Sequence, residues 1–325
     1  MSSPETLPPL VVVAGATGTG KTALSLALAE ALAARGVAAE IVSADSRQVY
    51  RGMDIGTAKA TRQERARFPH HGLDLVDPDV AFSVADYSHY AAQALAGIAQ
   101  RGAIAGATAV ASATTVALLV GGTGFYLRSV ARGLAVDELP WDADVRTALE
   151  EALFEDGLPA LVAELHRIAP TRAAAIDLRN PRRVVRAVEI ARLQGDVPLP
   201  EPRGYGRPVL WLGLQVEPAA LRARVRARAR AQFEAGLVEE TRALVARFDS
   251  SLPSFTGIGY AEALGVIEGR LSLDQAIAQD ARRNVLFARR QATWFRREPD
   301  VQWLDATSEL PLQEALAAAT DYLAT

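Results

Sequence analysis

The hydrophobic pattern of this 325-residue chain changes period several times along its length. Leu10-Val-Val-Val-Ala14 is apolar without alternation, as expected of a strand buried on both faces. Residues 23–34 instead place Leu24, Leu28, Ala31 and Leu32 at helical spacing, with Gly36 as a stop signal. Residues 39–43 read as a second strand, a short strand is expected within 69–78, and 116–120 form another apolar run. Ser83 is a candidate N-cap, with Asp86 three residues on, for a helix reaching about residue 101. The uncharged stretch 102–115 has no decisive period, so helix and loop both stay open there. From residue 139 the chain turns rich in Ala, Leu, Glu and Arg, with helices expected after Pro140 and over 158–168, 171–176 and 181–193. A Pro- and Gly-rich linker at 196–208 then returns to a strand at 209–215. A long helix is expected from Pro218. Its arginines at 222, 224, 226, 228 and 230 alternate like a strand, but Ala and Arg are helix formers, so a helix is predicted. Further helices are expected over 273–295 and 309–323.

Strands alternating with helices imply an α/β chain. The join between the first strand and helix, Gly15-Ala16-Thr17-Gly18-Thr19-Gly20-Lys21-Thr22, fits G-x-x-x-x-G-K-[ST]. Glycines let backbone N–H groups approach phosphate oxygens at a helix N-terminus, Lys21 adds a charge, and Thr22 offers a hydroxyl to Mg²⁺. The predicted architecture is therefore a P-loop kinase-like core with a mostly parallel sheet, residues 1–138 and 206–325, plus an inserted all-helical domain at 139–205. In such a sheet the C-terminal strand ends line the ligand crevice. That places Asp45, after the second strand, and Thr123, in Gly121-Gly-Thr-Gly-Phe-Tyr126, on the same edge as the loop. The strand at 116–120 ends in Gly-Gly-Thr, where an NTPase carries an Asp for its metal. Asp45 has two readings: it helps hold a metal, or it is a general base.

Composition narrows the classes. The chain has no cysteine, which excludes disulfides, thiolate zinc sites and a cysteine nucleophile. It shows no signal sequence and no apolar run of membrane-spanning length, so a cytoplasmic protein is expected. The net charge is -3, yet residues 281–297 carry six arginines and no acid, a local basic face. The four histidines lack metal-ligand spacing and read as structural. Trp294 and Phe295 read as core.

Several blocks together resemble the tRNA dimethylallyltransferase family, also called tRNA isopentenyltransferase. They are the stretches 15–24, 45–59 (Asp-Ser-Arg-Gln-Val-Tyr-Arg-Gly-Met-Asp-Ile-Gly-Thr-Ala-Lys), Pro69-His70 with Asp77-Pro78, and 119–126. Asn180-Pro-Arg-Arg-Val-Val-Arg-Ala-Val-Glu189, 236–240, 257–262 and 288–296 complete the series, in family order over nearly the whole chain. The resemblance implies transfer of a dimethylallyl group from dimethylallyl diphosphate to N6 of the adenosine 3′ to the tRNA anticodon. Gly15, Ala16, Thr17, Gly18, Thr19, Gly20, Lys21 and Thr22 would then hold the diphosphate leaving group with Mg²⁺, and Arg224 and Arg228 would clamp it. Asp45 would be the base, and Thr123 would stabilise the leaving group. The same resemblance assigns tRNA contacts to Asp45, Ser46, Arg47, Gln48, Thr123, Arg146, Arg182, Arg183, Val184, Val185 and Arg186. Arg289 and Arg290 would add backbone contacts. The protein would act as a monomer. Two rivals stay open: an ATP-dependent small-molecule or nucleotide kinase, and a non-catalytic RNA-binding module. Arg182, Arg183 and Arg186 also have a plain reading as surface ion-pair formers.

Overall fold

In the computed structural model, which describes residues 7–108 and 115–325, β1 (Leu10–Gly15) leads into α1 (Lys21–Ala33) and β2 (Ala38–Ser43). Then follow α2 (Arg62–Arg67), β3 (His70–His71), α3 (Val84–Thr108), β4 (Thr115–Gly121) and α4 (Gly124–Ala131). Next come α5 (Ala143–Glu155), α6 (Leu158–Ile168), α7 (Pro170–Ala175) and α8 (Pro181–Gln194). The chain then runs through β5 (Val209–Gln215), α9 (Pro218–Glu234), α10 (Leu237–Val245), α11 (Tyr260–Ile267), α12 (Leu273–Phe295), β6 (Val301–Asp305) and α13 (Leu312–Leu323). Of the undecided stretch 102–115, α3 takes the part up to Thr108 and β4 begins at Thr115; residues 109–114 lie outside the described residues. Among the described residues no helix is long and apolar enough to cross a membrane.

The chain divides into two compact units, Met1–Gly133 with Gly204–Thr325, and Leu134–Arg203. The sequence reading sets the helical segment at 139–205. The smaller unit starts earlier because a 3₁₀ turn at Val136–Glu138 belongs to it, with Glu138 paired to Arg203.

The larger unit is built on a six-stranded sheet in the order β3-β2-β4-β1-β5-β6, with every pairing parallel among the described residues. Successive side chains of a strand point to opposite faces, and here both faces are covered. Leu10, Val12 and Ala14 of β1 pack with Leu119 of β4 and with α3 and α4 through Tyr87, Leu95 and Leu127. Val11 and Val13 pack with Leu118 against α1 and α13 through Leu24, Leu28 and Leu316. This two-sided burial explains the unbroken apolar run of β1. A third cluster, including Phe233, Leu237, Phe255 and Tyr260, packs α9, α10 and α11 together. Four elements go beyond the sequence reading: β6, a five-residue edge strand on β5, and the short helices α2, α10 and α11. The alternating arginines do lie on a helix, α9.

The smaller unit is all-helical. Its core is Leu149 of α5, Leu161 and Leu165 of α6, Ala173 of α7, and Val184, Val185 and Val188 of α8.

Candidate active site

β1 ends at Gly15, which adopts φ +155; a Cβ there would lie 2.9 Å from Leu214 O and from Thr19 Oγ1. The chain then turns through residues 16–20 into α1. Thr19 Oγ1 donates to Ala16 O at 2.9 Å, and Lys21 Nζ donates to the same carbonyl at 2.8 Å, so two side chains of the loop close it on itself. Gly20 caps α1 in the left-handed region, φ 96, with no side chain to occupy the helix N-terminus.

This loop lines a cavity of about 460 Å³ in the larger unit. Thr17, Gly18, Gly20, Lys21 and Thr22 contribute one wall, Asp45 and Gln48 another, and Arg224 and Arg228 of α9 a third. The parallel sheet explains the convergence, because it delivers the C-terminal ends of β1, β2 and β4 to one edge. Arg224 and Arg228 are four residues apart on α9 and so face the same way. Arg224 donates to Thr307 O at 2.8 Å, and Arg228 donates to Asn284 Oδ1 at 3.3 Å.

The electrostatics suit an anion. Loss of solvation brings Lys21 from 10.5 down to about 8; Asp45 opposes the fall and Arg228 adds to it. Burial also lowers Arg228, against the nearby charges of Asp280 and Asp45. The Nε of Arg228 is buried with no hydrogen-bond partner among the described residues. An orphaned donor beside two other cations fits a ligand that brings acceptor oxygens.

Asp45 follows β2 directly. Its Oδ1 accepts from Arg47 N at 2.9 Å, so the carboxylate closes a turn while still lining the cavity. Thr123 precedes α4, but its side chain makes no capping bond. Its Oγ1 instead accepts from Ser46 N at 3.0 Å, and its own N donates to Ala44 O at 3.2 Å. The structure therefore joins Thr123 to the Asp45 loop. Arg47 donates to Pro253 O at 3.2 Å, and Gln48 is held by Ser43 Oγ at 2.8 Å and donates to Thr57 O at 3.1 Å. Both side chains are engaged within their own unit.

A family model described as IPP transferase matches residues 48–298. The chain belongs to the IPP transferase family. It is 45% identical over 314 residues to a tRNA dimethylallyltransferase of Roseiflexus sp. strain RS-1, covering 94% of this chain and 96% of that protein. A tRNA dimethylallyltransferase of Thermus thermophilus is 42% identical, with 96% of each chain covered. The crystal structure of the full-length tRNA isopentenylpyrophosphate transferase of Bacillus halodurans is 35% identical. It superposes with a TM-score of 0.67 over 97% of this chain and 95% of that one.

In this member of the IPP transferase family, the remaining expected residues sort by environment. In the smaller unit, Arg146 and Arg186 both pair with the fully buried Glu189, Arg186 at 2.6 Å. Burial pushes Glu189 up, but the hydrogen bonds from the two arginines outweigh it and hold the carboxyl below its usual range. Val184 and Val185 are 0% and 4% exposed, and their side chains build the core of α5–α8. Arg182 and Arg183 are exposed on the first turn of α8. In the larger unit Arg289 and Arg290 are exposed on α12. Phe295 is core, as expected, whereas Trp294 is half-buried with Arg128 4.5 Å from its ring. His70 and His71 make protein contacts, to Phe68 O and Glu40, and the described residues hold no three-carboxylate or histidine cluster suited to a metal.

Two polar residues of α12 escaped the sequence reading. Gln291 accepts from Thr17 N at 2.8 Å and donates to Gly122 O at 2.9 Å. Asp280 is 1% exposed and pushed up to about 6 by burial; it accepts from Asn284, the partner of Arg228. The only local hint was a polar residue recurring on the buried stripe of a helix.

Proposed function

We propose that this chain transfers a dimethylallyl group from dimethylallyl diphosphate to N6 of the adenosine 3′ to the anticodon in tRNA. The observation that carries this reading is the single cavity that gathers Lys21, Arg224 and Arg228 with one acid at a strand end, Asp45. Three cations match a diphosphate leaving group. The carboxylate matches the proton that N6 must lose. The names of the curated relatives point the same way.

In this mechanism the N6 lone pair attacks C1 of the dimethylallyl group, the C1–O bond breaks, and diphosphate departs with the bonding electrons. Asp45 accepts the N6 proton. Lys21, Arg224 and Arg228 stabilise charge on the departing oxygens, which is worth most where it develops in the transition state. Thr123, bonded to the Asp45 loop, supports the leaving group near its bridging oxygen. Thr22 fits Mg²⁺: it lines the same cavity, where Asp45 and Glu64 are the carboxylates among the lining residues, so phosphate oxygens would supply most of the ion's ligands, the usual habit of Mg²⁺. Bound there, the ion would neutralise diphosphate charge. The target base must leave its stack to reach such a pocket. Ser46, Arg47 and Gln48 would line its path, and the smaller unit would meet the anticodon arm through Arg182 and Arg183. Arg289 and Arg290 would add phosphate contacts. We propose that it works in the cytoplasm as a monomer.

Incubation with labelled dimethylallyl diphosphate and bulk tRNA is expected to place label in the RNA. Unlabelled RNA, with label transferred from γ-labelled ATP to a small molecule, would establish the kinase instead.

A further inference from the structure

The phosphate loop and the Asp45 loop carry the two halves of the proposed chemistry, yet their link runs through a third element. Gln291, on α12, is 8% exposed. Its Oε1 accepts from Thr17 N at 2.8 Å, inside the phosphate loop, and its Nε2 donates to Gly122 O at 2.9 Å, at the end of β4. A carboxamide offers an acceptor and a donor from one carbon, so it can bridge an N–H and a C=O at once. The next residue, Thr123, accepts from Ser46 N at 3.0 Å, and Ser46 follows Asp45. A short series of hydrogen bonds therefore runs from the leaving-group loop through Gln291 to the loop of the base.

The packing around this bridge leaves little slack. A Cβ at Gly122 would lie 2.5 Å from Gln291 Nε2, and a Cβ at Gly124 would lie 2.3 Å from the ring of Trp294, three residues further along α12. The helix thus meets the turn at two glycines, close against its backbone.

We propose that Gln291 is a positioning residue for prenyl transfer: it holds the phosphate loop and the turn at residues 121–123 in one register. This rests on the reading that the diphosphate occupies the phosphate loop. In-line displacement needs C1 held between the leaving oxygen and the attacking N6. A shift of about 1 Å in such an arrangement costs on the order of 100-fold in rate. Without the amide, Thr17 N–H and Gly122 C=O lose their buried partner, and the two loops are free to settle apart.

The test compares wild type, Gln291→Met and Gln291→Glu for kcat and KM in labelled prenyl transfer, for inorganic pyrophosphate binding, and for thermal unfolding. Gln291→Met keeps the side-chain length and removes both bonds. It is expected to lower kcat about 10- to 100-fold with KM for tRNA within about twofold, and to lower the unfolding midpoint by a few degrees while the protein stays folded at the assay temperature. Gln291→Glu keeps the acceptor for Thr17 but sets a carboxylate against Gly122 O, so its kcat should fall at least as far as that of Met. A Met variant with kcat within about twofold of wild type overturns the proposal. So does a loss of activity that only tracks loss of folded protein. Should Gln291→Met fail to fold, Gln291→Glu decides: wild-type kcat in that variant refutes the bridge. An inactive wild type refutes the prenyl-transfer reading itself, which an active wild type beside fully active Gln291 variants does not.

Discussion

Lys21 connects the charge state of the cavity to donor binding. Its Nζ lies 2.8 Å from Ala16 O, and loss of solvation brings its pKa to about 8, with Asp45 raising it and Arg228 lowering it further. At that value the ammonium form falls from about 90% at pH 7 to about 10% at pH 9. If only the charged form grips the diphosphate, affinity for dimethylallyl diphosphate should fall roughly tenfold over that interval. Titration calorimetry at constant ionic strength and Mg²⁺ measures this directly, without tRNA. Lys21→Arg, charged throughout the range, should bind with a flat profile, and Lys21→Met should bind weakly with a flat profile. Unfolding does not imitate the effect. A lysine whose pKa is lowered by folding leaves the unfolded chain with more bound protons between pH 8 and 10.5, so its contribution to stability rises with pH there. Wild-type affinity that stays constant from pH 7 to 9 would refute the argument. The same slope in Lys21→Arg would also refute it, by assigning the titration to another group.

Asp45→Asn should cut prenyl transfer by about 100- to 10,000-fold while tRNA binding persists; if tRNA binding collapses as well, Asp45 is not the base. Glu189→Ala leaves Arg146 and Arg186 without their buried partner and should destabilise the chain by about 3 kcal/mol, read by denaturant unfolding. Because the folded state lowers the Glu189 pKa, the stability it supplies is present above the unfolded carboxylate value. That stability is lost as pH falls through the lowered one, so wild type and Glu189→Ala should converge in acid. Arg182→Ala and Arg183→Ala, exposed on α8, should each weaken tRNA binding and reduce its salt slope by about 1; unchanged slopes would remove them from the interface.

Where a signal is local, the chain declares it. Five apolar residues with no alternation announce β1, and the spacing of Leu24, Leu28 and Leu32 announces α1, because burial on two faces and burial on one leave different periods. The phosphate-loop motif lies at their junction for the same reason. β6 escaped because five residues at a sheet edge owe their strand state to pairing with β5, 86 or more positions upstream, and to little of their own. Within residues 182–186 the side chains part. Helical periodicity turns Val184 and Val185 inward while Arg182 and Arg183 stay in solvent. Arg186 and Glu189 are an i,i+3 pair within α8, but Arg146 of α5 gave no sign of sharing Glu189, since an ion pair between helices depends on how those helices pack.

The phosphate loop, the strand-end position of Asp45 and the α/β class were determined by the sequence alone, because each depends on neighbours within one element or one turn. Tertiary structure alone decided which groups face one another. Thr17 and Gln291 stand 274 residues apart, and Arg228 reaches Asn284 across 56. Such contacts exist only once the parallel sheet has brought its strand ends to one edge and α9 and α12 have packed beside it. Pairing offsets the cost of burying these polar groups, and no local pattern of residues encodes which of them will meet.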